Sequence, residues 1–425
     1  MTPRAGSIRK NMHSLTIAFL VLLLTGTVFR LWLAMRQKAA VTSHRAEVPK
    51  PFDETISLED HRKAADYTVS RVRTGMLSEV IDTALLLGWT LAGGLALLDS
   101  VWRGAALGPL LTGVAVIVST LIIMSVLEMP LSIYRTFGLE ARYGFNKTTP
   151  GLFVMDLLKG LVLMLLLGIP LVAVVLWLMN SAGELWWLYT WFVWTGFTLF
   201  ITWAYPAFIA PLFNKFSKLS NVELAQRIEA LLDRCGFRSK GIFVMDGSRR
   251  STHGNAYFTG VGNNKRIVFF DTLMESLGHE EIEAVLAHEL GHFRKRHVTR
   301  RLIMGFAISL AGLALLGWLI KQPWFFSALG VDAASNHIAL LLFILVVPVF
   351  VFPLTPLMAY LSRRDEFEAD RYAAEQSNAH ALISALCKLY RDNATTLTPD
   401  TLHSGFYDSH PPATSRVARL SELAA

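Results

Sequence analysis

A chain of 425 residues has room for two or three soluble domains on length alone, but its composition excludes that organisation. Hydrophobic residues make up 53% and charged residues 17%, against about 25% charged in a soluble chain, so lipid is needed to cover the apolar surplus. The formal charge of +7 reads as basic loops against anionic lipid rather than as nucleic-acid binding, because multi-pass proteins gather Lys and Arg on the cytoplasmic side.

Seven segments approach the roughly 20 apolar residues that a bilayer core requires. They run from Ser14 to Met35, Asp82 to Leu98, Leu107 to Leu127, Leu157 to Met179, Leu185 to Ala204, Leu302 to Ile320 and Ile338 to Leu361. The first follows Arg4, Arg9 and Lys10 and ends in Arg36 and Lys38 with no Ala-x-Ala site close behind, so it reads as a retained anchor. Basic residues crowd the loops after segments one and three, including Arg36, Lys38, Arg71, Arg73, Arg135, Arg142 and Lys147. The loops after segments two, four and six carry only Arg103, none and Lys321. The basic loops, the polar stretch after segment five and the C-terminal tail are therefore expected on the cytoplasmic side. The basic N-terminus runs against this count, since seven spans place it outside. Between segments one and two, Thr42 to Arg73 reads as a loop followed by a short amphipathic helix.

In the polar stretch, Leu224, Ile228, Leu231 and Cys235 recur at helical spacing. They predict an amphipathic helix over Val222 to Arg234, capped by Ser220 or Asn221. Ile242 to Met245 reads as a strand. Asn255 to Gly260 and Arg266 to Asp271 read as a hairpin around Val261-Gly262-Asn263-Asn264. A helix over about Glu280 to His297 buries Ile282, Leu286, Leu290 and Phe293 and runs into segment six. Segment seven runs directly into Ser362-Arg363-Arg364-Asp365-Glu366-Phe367-Glu368-Ala369-Asp370. Cys235 and Cys387 lack a Cys-x-x-Cys partner and read as small packed residues.

The chemistry concentrates in His288-Glu289-Leu290-Gly291-His292. Histidines four apart lie on one side of a helix, one turn apart, the spacing of two zinc ligands, and Glu289 flanks them where it can take a proton from water. Gly291 removes a side chain and leaves space for a close neighbour. A catalytic zinc has three protein ligands and one open position, and the residues alone offer Glu366, with Asp370 on the same helical face to orient a ligand histidine. They also leave open that Arg363 to Glu368 is only a solvated juxtamembrane charge cluster.

These motifs resemble the CAAX prenyl protease 1 family, the Ste24-type membrane zinc metallopeptidases. The resemblance rests on Asn255 to Gly260, Arg266 to Leu273, the His-Glu-Leu-Gly-His core, Ser362 to Asp370, and Ser409-His410-Pro411-Pro412 with Arg416 beyond. Upstream, Tyr134 to Phe137, Gly144 to Lys147 and Pro211 to Phe216 add to it, so it covers most of the chain after about residue 50. It implies a mainly α polytopic membrane protein. About seven helices would enclose a chamber, with a gluzincin-like metallopeptidase region and a small sheet.

It further implies one zinc per chain held by His288, His292 and Glu366, with Asp370 behind them and Glu289 as general base. Asn255, His410 and Arg416 match positions that contact substrate or stabilise the transition state. His279, His297 and His403 match nothing and are expected to be exposed. The expected organisation is an anchor and loop over 1–80, helices two to five over 81–204, and the peptidase region over 205–301. Helices six and seven follow over 302–361, and a C-terminal segment with the third ligand over 362–425. The implied partners are membrane lipid and an extended peptide or protein, lipidated in the family's namesake reaction, with no nucleic acid. The short loops and Leu/Ala-rich make-up suit a bacterial inner membrane, with the site toward the cytoplasm.

Two rival readings make different predictions. A membrane-protein quality-control protease would use the same site without prenyl specificity. A transporter would need ionisable residues at membrane depth, where the candidates are Arg30, Asp156 and Lys159, the last two expected to pair with each other.

Overall fold

The computed structural model describes residues 12–239, 241–259 and 266–425. Arg4, Arg9, Lys10 and the turn Val261-Gly262-Asn263-Asn264 lie outside the described residues. The chain is mostly helical, as expected. Among the described residues six helices are long and apolar enough to cross a membrane, or seven when one bent pair counts as a single span.

The first of these helices is α1 (Ser14–Ser43). The bent pair comes next: α2 (Leu58–Trp89) and α3 (Gly94–Gly104) meet at 49°. Segment two was expected over Asp82 to Leu98, after a separate short helix. Instead α2 begins at the Ser57 cap and is continuous, and the break falls inside the expected segment. Gly93 takes φ +83°, and a Cβ on Gly94 would stand 2.7 Å from the Gly88 carbonyl, so the bend needs glycine there. The three following spans are α4 (Pro109–Glu140), α5 (Pro150–Ser181) and α6 (Gly183–Phe213). Each contains a π-wound stretch, Tyr134–Glu140, Met164–Gly168 and Tyr205–Ile209, close to Pro130, Pro170 and Pro206 respectively. A proline has no N–H and crowds the preceding turn, so the ladder re-pairs around it. Only 11% of the most apolar stretch of α5 is buried in the protein, which leaves the rest for lipid.

The charged residues flagged at membrane depth are satisfied. Arg30 on α1 pairs with Glu79 on α2 and lies 4.1 Å over the Phe352 ring. Asp156 does not pair with Lys159. It takes two hydrogen bonds from Arg250, at 2.8 and 3.0 Å, while Lys159 donates to the Leu212 carbonyl at 2.7 Å. A bidentate guanidinium outcompetes a flexible ammonium three residues away. The same Arg250 segment bridges to Gly144-Phe145-Asn146-Lys147, through Lys147 N–H to the Arg250 carbonyl at 3.0 Å and Thr252 N–H to the Phe145 carbonyl at 3.2 Å. The α4–α5 connection is thereby tied to the polar region.

That region holds β1 (Phe216–Lys218), α7 (Val222–Cys235), β2 (Ile242–Met245), β3 (Ala256–Thr259) and β4 (Arg266–Phe270). Asn221 caps α7 by accepting from the Leu224 N–H at 2.9 Å. The sheet order is β1-β2-β4-β3; β2 and β4 are parallel, and β3 runs antiparallel to β4 as the hairpin reading required. β3 is therefore an edge strand. α8 (His279–Arg294) and α9 (His297–Leu319) are two helices rather than one, because Arg296 takes φ 58° between them. α10 (Asn336–Gln376) runs unbroken from the membrane past Glu366, save for a 3-10 turn at Phe352–Leu354. α11 (Ala379–Asp392), α12 (Thr401–Tyr407) and α13 (Ala413–Ala424) complete the chain.

A core of Leu224, Ile228, Ile267, Phe269, Ile282, Leu286, Leu290, Leu382 and Leu420 joins α7, the sheet, α8, α11 and α13. Cys235 and Cys387 are both free and buried. A second core, with Phe19, Val116, Leu176, Leu316, Ile338 and Leu342, joins the membrane helices.

Candidate metal centre

α8 supplies His288 and His292 on one side because the apolar stripe Ile282, Leu286 and Leu290 holds its other side in the core. α10 lies against α8 and presents Glu366 to both histidines. The Nε2 atoms of His288 and His292 are 3.2 Å apart, and each is 3.3 Å from a Glu366 carboxylate oxygen. A tetrahedral zinc with bonds of about 2.0–2.1 Å needs ligand atoms about 3.3 Å apart. The Glu366 side chain is 5% exposed and its Oε2 is a buried oxygen without a hydrogen-bond donor, the condition a cation satisfies. Among the described residues, His288, His292 and Glu366 form a group whose donor atoms suit a metal ion.

The helices can approach this closely because residue 291 is glycine. A Cβ there would stand 3.0 Å from the Ala369 Cα and 3.1 Å from its carbonyl oxygen, both backbone atoms of α10. Gly291→Ala is expected to push α8 and α10 apart. The strain costs about 1–3 kcal/mol, and the misplaced ligands lower activity about 10²-fold. Metal affinity and turnover measured on the same preparation check this; unchanged values would show that α10 yields instead.

Asp370, one turn beyond Glu366, accepts from His288 Nδ1 at 2.9 Å. That contact fixes the ring so that Nε2 faces the metal position. Arg416 from α13 clamps Asp370 from behind with two hydrogen bonds of 2.7 Å. Arg416 is 6% exposed, and its guanidinium lies 3.8 Å from Glu366. Arg416 thus sits in the layer behind the ligands, against Asp370 and His288.

His292 has an equivalent support that sequence reasoning missed. His297, expected to be exposed, is fully buried, with Nδ1 3.0 Å from His292 Nδ1 and Nε2 3.1 Å from Glu368. The break at Arg296 turns the first residue of α9 back onto the site. His297→Ala is expected to weaken metal binding about 10–100-fold, the usual effect of removing a group that orients a ligand. Competition with a chromophoric chelator checks it. His403 is partly buried on α12, and His279 is partly exposed, near Asn221 and Glu223.

On the open side, Glu289 is half-buried beside His288, and burial pushes its carboxyl above its ordinary pKa, toward the range of a working base. His410 reaches in from the turn before α13; its side chain is 63% exposed, with Nε2 3.5 Å from Glu366. Asn255 immediately precedes β3. Its carbonyl accepts from the Phe270 N–H at 3.0 Å, and its side chain is exposed. The structure thus gathers His288, His292, Glu366, Glu289, Asp370, Arg416 and His410 at one point, with Asn255 at the head of the edge strand.

Comparison with known proteins gives the family. Residues 37–215 match the model described as the CAAX prenyl protease N-terminal region of five membrane helices, and residues 218–424 match peptidase family M48. CAAX prenyl protease 1 homolog from Arabidopsis thaliana is 33% identical over 92% of this chain and 94% of its own length. CAAX prenyl protease 1 from Saccharomyces cerevisiae is 31% identical over 92% of each. The crystal structure of S. mikatae Ste24p superposes with a TM-score of 0.87 at 28% identity, covering 96% of this chain and 99% of that one. The transporter reading falls with this result. The chain belongs to the CAAX prenyl protease 1 family of M48 peptidases and is an integral-membrane metalloendopeptidase.

Proposed function

We propose that the metal is zinc, one per chain, held by His288, His292 and Glu366, and that the enzyme cleaves extended peptides near the carboxyl end of lipidated membrane proteins. The observation that carries the reading is the convergence beside Glu289 of two imidazole Nε2 atoms 3.2 Å apart, each 3.3 Å from one of the two Glu366 carboxylate oxygens. Zinc held there supplies Lewis acidity, lowering the pKa of the attacking water and polarising the scissile carbonyl.

Glu289 takes the proton from that water and returns it to the leaving amine. His410, with its exposed imidazole beside the site, donates to the developing oxyanion, worth about 3 kcal/mol for a well-placed donor. Asp370 and Arg416 hold His288, and His297 holds His292. The outer edge of β3, unpaired among the described residues, receives the substrate backbone, and Asn255 orients it at the strand's head. The basic loops support a cytoplasmic position for the site, and the short loops suit a bacterial inner membrane.

The purified chain is expected to carry about one zinc, lost in His288→Ala, and to cleave a farnesylated CAAX peptide faster than the same peptide without the lipid. Absence of zinc, or a His288→Ala enzyme as active as its parent, would sink the assignment. Equal cleavage of both peptides would favour the quality-control role instead.

A further inference from the structure

Two cavities lie along α2, and one of them reaches the metal centre. The larger, of about 740 Å³, is walled by His410 and Arg416 and by Arg71, Asn393 and Thr395. The smaller, of about 660 Å³, shares those last three residues and adds Arg135, Glu140 and His253. The two are thus neighbours across a common wall, and the larger reaches the metal centre through His410 and Arg416.

Their position relative to β3 is set by the segment before it. His253 precedes Asn255 by two residues and lines the smaller cavity. The Asn393 side chain fixes it there, accepting from Gly254 N–H at 3.2 Å and lying 3.1 Å from His253 Nδ1. The smaller cavity therefore lies off the amino-terminal end of the edge strand. A peptide paired with β3 runs out of its pairing into this space.

The charge of the space selects which peptide end that is. Among the described residues neither Arg71 nor Arg135 forms a hydrogen bond or an ion pair, although Arg71 lies 5.5 Å from the Tyr67 ring centroid. The one carboxylate on the smaller cavity's wall, Glu140, is occupied: it accepts from the Tyr67 hydroxyl at 2.7 Å and stands 3.6 Å from His253. The larger cavity also has two guanidiniums and one carboxylate, Asp408, but its Arg416 is paired with Asp370, so the two guanidiniums without an ion-pair partner among the described residues, Arg71 and Arg135, meet in the smaller one. Two guanidiniums against one carboxylate leave a net positive charge that repels a terminal ammonium, and they offer paired N–H donors to a carboxylate.

We infer that Arg71, assisted by Arg135, is the receptor for the substrate's free α-carboxylate. The peptide accordingly lies antiparallel to β3, with its carboxyl end pointing into the smaller cavity. This rests on the proposed cleavage near a carboxyl terminus and adds a residue that selects for that terminus.

The test uses the full chain carrying Glu289→Gln, zinc-loaded in detergent micelles, which binds without turnover. The probe is a fluorescent farnesyl-cysteine peptide with three residues after the cysteine, made as the free acid and as the amide. The acid is expected to bind on the order of tenfold tighter than the amide. Adding Arg71→Ala is expected to bring that ratio near one, Arg71→Lys to keep part of it, and Arg135→Ala to lower it less than Arg71→Ala does. Equal binding of acid and amide by the parent, or a ratio unmoved by Arg71→Ala, overturns the inference. So does an equal loss for both peptides, which marks a merely structural role. The binding ratio is independent of cleavage, so an inactive but acid-selective chain would count against the proposed function and for this subsite.

Discussion

Replacing Glu289 with glutamine is expected to lower kcat about 10²–10⁴-fold, the usual contribution of a general base, while zinc stays bound. The amide keeps the size and hydrogen-bonding ability of the carboxylate but cannot accept the proton. Glu289 is not among the converging donors of His288, His292 and Glu366, so removing its charge leaves the ligand set complete. The contrast with Glu366→Gln, on the neighbouring helix, makes the assignment sharp. That change replaces an anionic ligand by a neutral one at a buried position, and zinc content falls together with activity. Elemental analysis and single-turnover cleavage on the two variants separate the roles. A Glu289→Gln enzyme that kept parental kcat would remove Glu289 as the base.

Much of this centre was legible because helical geometry is local. His288 and His292 must share a side at a spacing of four, and segment seven had to carry Glu366 along one continuous helix. The supports were less visible in proportion to their dependence on tertiary structure. Asp370 could be placed by its spacing from Glu366, but its clamp on Arg416 joins residues 46 apart in sequence. His297 was missed because its role depends on a single positive-φ residue, Arg296, which breaks an otherwise continuous helical pattern. Segment two was misplaced for a related reason. α2 carries Glu79, which hydropathy penalises, and its Arg30 partner on α1 compensates that charge. Asp156 was assigned the nearest cation, whereas the fold supplies Arg250 from 94 residues away.

The Arg416–Asp370 pair carries the largest expected stability effect. Both side chains are nearly fully buried, 7% and 4% exposed, and their contact is bidentate. Arg416→Ala leaves the Asp370 carboxylate without its main compensating charge, which costs about 3–5 kcal/mol for a broken buried pair. A loss of zinc affinity of about 10–100-fold accompanies it, because His288 loses a firmly held acceptor. Those two effects have different origins, and a double variant separates them. In Arg416→Met with Asp370→Leu, no charge is left unpaired, so thermal stability in detergent is expected to recover much of the loss. Zinc affinity is expected to stay low, since His288 Nδ1 then has no carboxylate to fix its ring. If affinity recovered along with stability, Asp370 would be packing rather than orienting the ligand. If neither recovered, Arg416 would be acting on Glu366, 3.8 Å away, rather than through Asp370.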